Sequence, residues 1–243
     1  MTVSLRLFIS EIKRLYTYKI LTISLAISAL WMVILYGIGE ANAQSFVGLF
    51  IALDASVMSI LMLGASLFFE REENTLKPLL VTPVSTGQII GVKVASSIYV
   101  ALQSAVLVSL FVRLVMGIPV DFMSLILLVM LIALVHSMIG FYLAMKATDF
   151  SGLLVNMIIY SFTFAMPSLM VTLGLISGWA EEIVWLSPIG DGLFYMQVVF
   201  QTNGADAIDP VFFILSIIYL LFISTVLYVG YIKPNYATAA VKE

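Results

Sequence analysis

The chain has 243 residues, 62% of them hydrophobic and only 10% charged, whereas roughly a quarter of the residues of a soluble domain carry charge; an integral membrane protein is the only class that fits. The net charge of -3 gives no reason for a polyanionic partner, which sets nucleic acid aside. With no Cys and a single His, disulfides, thiol chemistry and a histidine-built metal site are set aside with it.

In chain order, residues 1–19 come first. Leu5, Phe8, Ile9, Ile12, Leu15 and Tyr16 recur at helical spacing while Arg6, Ser10, Glu11, Lys13 and Arg14 are polar, which predicts an amphipathic helix lying in the inner membrane interface. Six apolar runs follow: Ile20 to Ile38, Phe46 to Phe69, Ile89 to Met116, Phe122 to Met145, Leu153 to Ser177 and Val211 to Ile232. Each reaches the about 20 residues a helix needs to cross a bilayer. The first is followed by Ala41-Asn42-Ala43, like a secretory cleavage site, but it is too long for the apolar region of a signal peptide and is read as a retained span. Between the last two runs, residues 178–209 are half apolar, carry no cation and are broken by Pro188 and by Gly190 to Gly192. Neither piece is long enough to cross, so a short outer re-entrant helical hairpin is expected, with Trp179 and Trp185 at headgroup depth. Asp209 and Pro210 then start the last span.

Orientation follows from the cations. Arg6, Lys13, Arg14, Lys19, Arg71, Lys77, Lys93, Lys146, Lys233 and Lys242 all fall on one side if the spans alternate, and Arg113 alone falls on the other. Both termini are therefore expected in the cytoplasm. The whole chain, 1–243, reads as a single transmembrane domain, all-α, of six spans.

One stretch is far more polar than its surroundings. After Phe69, Glu70, Arg71, Glu72 and Glu73 continue the second helix beyond the lipid. Asn74 stops it, since Asn tolerates the left-handed conformation found just past helix ends. Thr75 to Leu80 forms a short segment with Leu76, Leu79 and Leu80 on one side, and Thr82-Pro83 ends it. Ser85 to Gln88 has the form of a capping box that opens the third span.

The run EREENTLKPLLVTPVS resembles the signature between the second and third spans of type-2 ABC exporter permeases, commonly Glu-Arg-Glu-x-Gly-Thr-Leu-x-x-Leu-Leu-x-Thr-Pro-x-Ser. Glu70, Arg71, Glu72, Thr75, Leu76, Leu79, Leu80, Thr82, Pro83 and Ser85 match in order. Asn74 stands for the usual Gly, Pro78 is unusual, and Val92 splits the Gly-Lys pair into Gly91 and Lys93. The basic leader, six spans and outer hairpin share the family layout. The resemblance implies that residues 70–85 form a coupling helix on which a separate ATPase pushes. Glu70, Glu72 and Glu73 would pair with basic residues of that subunit, while Leu76, Leu79 and Leu80 fill an apolar groove on it; Arg71, Asn74 and Thr75 complete the coupling surface. It implies two ATPase copies, which hold ATP and Mg, and a second permease half, either another copy or a related chain. This chain has no Gly-x-x-x-x-Gly-Lys-Ser/Thr, so it is expected to bind no cofactor and catalyse nothing by itself.

Polar groups within the spans should face protein or water. Asp54 lies about 12 Å in from the outer end of the second span, and Arg113 is positioned either to pair with it or to line an export path with it. His136 is expected to make an interhelical hydrogen bond, as are Asn156, Gln103 and Ser104. Ser66 with His136 raises an intramembrane serine protease, but their depths differ by roughly 10 Å and no oxyanion motif accompanies them. A secondary transporter would want broken helices and matched repeats, which are not seen. The haem-exporter permease of cytochrome c maturation has similar length and span count, though one His and no Cys are available to hold haem. The expected function is the membrane subunit of an ATP-driven exporter of amphipathic, lipid-like or drug-like molecules in a prokaryotic plasma (inner) membrane, among whose lipids it works.

Overall fold

The computed structural model describes residues 3–75, 84–200 and 210–241. Ten α-helices occur among them and no strand: α1 (Val3–Thr17), α2 (Ile20–Ile38), α3 (Glu40–Glu72), α4 (Thr86–Val115), α5 (Phe122–Lys146), α6 (Phe150–Thr172), α7 (Trp179–Trp185), α8 (Pro188–Val199), α9 (Pro210–Leu227) and α10 (Lys233–Val241). Six are long and apolar enough to cross a membrane, α9 continuing through the turn into α10 as far as Thr238. The protein is an all-α integral membrane protein.

The spans are not equivalent. In α3 and α5 the most apolar stretches are 67% and 56% buried inside the bundle, against 11% for α6 and for α9. The two central helices meet almost backbone to backbone: a Cβ on Gly140 of α5 would stand 2.9 Å from the Ile60 Cα of α3. Between apolar helices in lipid, where burial itself offers little drive, close approach at small residues supplies the dispersion contact that holds them. The same device seats α8, since a Cβ on Gly48 of α3 would lie 2.7 Å from the Gln197 Cα.

The two-helix hairpin before the last span is present, but its break lies elsewhere than the glycines suggested. Gly190 and Gly192 are helical, inside α8. Ser187 caps that helix by accepting from the Gly190 N–H at 2.9 Å, with Pro188 in the first turn. The glycines serve proximity, because a Cβ on Gly192 would meet Ile132 of α5 at 2.7 Å. So α8 is buried against the core while Trp179 of α7 is 75% exposed. Trp185 is half-buried and packs on the main core.

The limits of the fifth and sixth spans shift. The fifth helix begins at Phe150, because Asp149 caps it through the Gly152 N–H at 2.6 Å. It ends at Thr172, where Gly174 (φ 70°) turns left-handed and the Leu175 N–H returns to the Met170 carbonyl. The sixth does not stop at Ile232. Pro234 lacks an N–H and would crowd the carbonyl four residues back, and the chain answers with one π turn, Tyr228–Ile232, before resuming as α10. This carries Tyr236 into the core beside α3 and α4, at 1% exposure. Asp209, expected to cap this span, lies outside the described residues.

Candidate functional site

The polar end of α3 terminates by the hydrogen-bond logic its sequence carries. Asn74 is left-handed (φ 55°); its N–H bonds the Arg71 carbonyl at 3.0 Å, and the Thr75 N–H bonds the Glu70 carbonyl at 3.0 Å. These two bonds close the helix end and aim the following chain sideways. Glu72, Glu73, Asn74 and Thr75 are exposed there. Arg71 is half-buried, its guanidinium 5.1 Å from the Phe68 ring centroid. Leu76, Leu79 and Leu80 lie outside the described residues. On the far side Ser85 accepts from the Gln88 N–H at 3.3 Å, and the Gln88 side chain accepts from the Ser85 N–H at 3.0 Å, the reciprocal capping box that opens α4. Next to the acidic turn is a cup of about 350 Å³, lined by Phe68, Arg71, Glu72, Lys146, Asp149 and Phe150 among others.

Glu70 departs from its expected place. It is fully buried, at 0% exposure, so its carboxylate does not belong to the outward acidic surface, which among the described residues is Glu72 and Glu73. It enters a cluster that sequence reasoning missed. Lys93 of α4, 1% exposed, is ion-paired with Glu70 and donates to Glu11 of α1 at 2.9 Å. Arg14 of α1 reaches Glu70 at 2.7 Å and is also paired with Glu11. Ser66, one turn before Glu70, donates to Glu11 at 3.1 Å and lies 3.2 Å from the Lys93 Nζ. Two carboxylates and two cations cancel, as burial of charge requires. Burial alone would push the Glu11 carboxyl up; Lys93 and Arg14 outweigh it and hold it below the ordinary range. Burial would likewise lower the Arg14 guanidinium, and Glu11 and Glu70 raise it instead. The phenol of Tyr236 is buried with no hydrogen-bond partner among the described residues.

The leader therefore docks differently from a helix simply floating on lipid. Glu11 and Leu15 are buried, Leu15 packing on Met62 and Val100, while Leu5 (47%), Ile9 (38%) and Tyr16 (65%) are exposed. A second tie runs from Tyr18, whose hydroxyl donates to Glu73 at 2.6 Å and whose ring lies 4.8 Å from that of Phe69. Burial and the Glu73 carboxylate both push that phenol upward. Two signals pointed to the cluster: a lone Lys two turns inside an apolar span, and Ser66 and Glu70 four apart on one helix face.

Within the spans, Asp54 and Arg113 do not pair. Asp54 accepts from Ser104 at 2.5 Å and from the Trp31 indole N–H at 3.3 Å. Arg113 is exposed, donating to the Val120 carbonyl at 3.4 Å with the Phe122 ring 5.7 Å away. Ser104, about 13 Å short of Arg113 along α4 by helical rise, is the residue level with Asp54. His136 makes the interhelical bond expected of it: Nδ1 donates to the Ile132 carbonyl at 2.7 Å, so Nε2 accepts from the Tyr160 hydroxyl at 3.2 Å. Both ring nitrogens are thus engaged, leaving none for haem, and Ser66 shares no hydrogen bond with this ring. Asn156 is half-buried and Gln103 likewise; neither makes a side-chain hydrogen bond among the described residues.

Among characterised proteins, comparison of the sequence finds no match. A family model described as ABC-2 type transporter matches residues 4–198, a range that takes in the leader, the acidic turn, five spans and nearly all of the hairpin.

Proposed function

The chain belongs to the ABC-2 type transporter family, as a membrane permease that works with an ABC ATPase, and we propose that it is the permease half of an exporter with two ATPase copies and a second permease half, a copy of itself or a related chain. The substrate class is amphipathic, lipid-like or drug-like molecules, moved outward through a plasma membrane with both termini in the cytoplasm. The carrying observation is the continuity of the exposed acidic turn with the buried ionic cluster. Glu72 and Glu73 stand outward for a basic surface of the ATPase, and Glu70, two positions before Glu72, is bonded into α1 and α4. Force on the turn is delivered to the leader and the third span together, because separating the cluster would strand buried charges at a cost of several kcal/mol.

ATP closure in the partner would shift the turn, and α1, α3 and α4 would move as one body to open a path between the paired permeases. Co-purification tests the reading: the chain should carry a soluble ATPase with it, and Glu72→Lys with Glu73→Lys should release that subunit while leaving the permease folded. Unchanged assembly in the double reversal would overturn the docking surface.

A further inference from the structure

Between α2 and α6, both of which pack on α3, is a cleft of about 420 Å³ whose floor is α3. Its walls include Leu30, Trp31, Val57, Phe162 and Met166, and its one ionisable lining group is Asp54. Leu30, Phe162 and Met166 are 53%, 60% and 43% exposed, so the cleft opens sideways through apolar surface of the kind that faces hydrocarbon.

Asp54 is 5% exposed and belongs to no ion pair among the described residues. Its donors, Ser104 and Trp31, are neutral, and behind Ser104 is Ser28 at 2.7 Å. The two buried carboxylates of the ionic cluster, Glu11 and Glu70, have cations against them; this one lines an apolar hollow instead. An acyl chain would fill the volume and leave the acid unanswered. A carboxylate among apolar walls favours a ligand that brings one positive charge and its own apolar surface. Trp31 and Phe162 supply aromatic surface to the same cleft, and Met58 and Met166 adapt to shape.

We propose that the cleft between α2, α3 and α6 binds apolar organic monocations, with the positive centre at Asp54 and the hydrocarbon against Trp31, Phe162 and Met166. As a statement about transported substrate this rests on the permease reading; as a binding site it stands on the cleft alone.

The test titrates the purified full-length chain in lipid nanodiscs with tetraphenylphosphonium and tetraphenylborate, two ions of one shape and opposite sign, against empty nanodiscs. The phosphonium should bind saturably and the borate should not. Asp54→Asn keeps the volume and the hydrogen-bond acceptor for Ser104, and should weaken phosphonium binding about tenfold or more; Asp54→Glu should largely keep it. Ala165→Phe, which fills the cleft and leaves the acid in place, should abolish binding, and it decides the matter even if the Asp54 variant folds poorly. Equal binding of both ions, or phosphonium binding unchanged in Asp54→Asn or in Ala165→Phe, overturns the site. No nucleotide or ATPase is present, so failure here leaves the coupling reading standing, and loss of coupling leaves this result standing.

Discussion

Lys93 and Glu11, 82 residues apart in sequence, meet at 2.9 Å inside the bundle and join the leader helix to the third span. Neither has appreciable solvent contact. Removing one partner of a buried pair leaves an uncompensated charge, at about 3–5 kcal/mol. Lys93→Met is therefore expected to lower the thermal unfolding temperature in detergent sharply. Adding Glu70→Gln should restore part of the loss, because Glu11 and Arg14 then balance. Equal loss in the single and double variants would show that the charges are not coupled.

The Glu11 carboxyl gives this docking a pH dependence. Its folded-state pKa is below the reference value of 4.5, so its contribution is complete above that reference and declines as pH falls through the lower folded value. Amide exchange in α1 should stay slow from neutral pH to about pH 4.5 and quicken only below it. Glu11→Gln should remove that acid dependence, and an unaltered profile in the variant would assign it to another group.

Asn74 holds a positive φ with two backbone bonds depending on it. Asn74→Gly should be neutral or slightly stabilising, whereas Asn74→Val should cost about 1–2 kcal/mol for a β-branched residue held left-handed. Chemical denaturation of the two variants checks the order.

Tyr18→Phe deletes the hydroxyl that bonds Glu73 at 2.6 Å and keeps the ring on Phe69. A hydrogen bond to a charged acceptor contributes about 1.5–3 kcal/mol, with the lower end expected for this partly exposed pair. ATPase assembly should survive, and substrate stimulation of ATP hydrolysis should fall. Full stimulation in Tyr18→Phe would remove this bond from the force path.

Gly140→Leu places a side chain where a Cβ already lies 2.9 Å from the Ile60 Cα. Overpacking of this kind costs about 1–3 kcal/mol, and the variant should unfold at lower temperature than Ala133→Gly, a deletion in the same helix.

What the sequence made legible was local. Asn74 as a helix stop, the Ser85 and Gln88 capping box and the six crossings all depend on residues within a few positions of each other or on run length, and each is in the structure. The ionic cluster was hidden because Glu11, Glu70 and Lys93 are brought together only when three helices pack. The Asp54 and Arg113 pairing failed because membership of adjacent spans sets neither height nor rotation. The glycines at 190 and 192 misled because a residue without a side chain serves close packing as well as turning, and sequence does not distinguish the two uses.

The 82-residue interval between Glu11 and Lys93 also imposes a timetable on biogenesis. The leader is synthesised first, yet Glu70, the partner of Arg14, arrives only at the end of the second crossing and Lys93, the partner of Glu11, only with the third, so docking cannot be complete until the third crossing is made. A chain truncated after Phe69 should show a protease-sensitive leader that becomes resistant once synthesis passes Lys93.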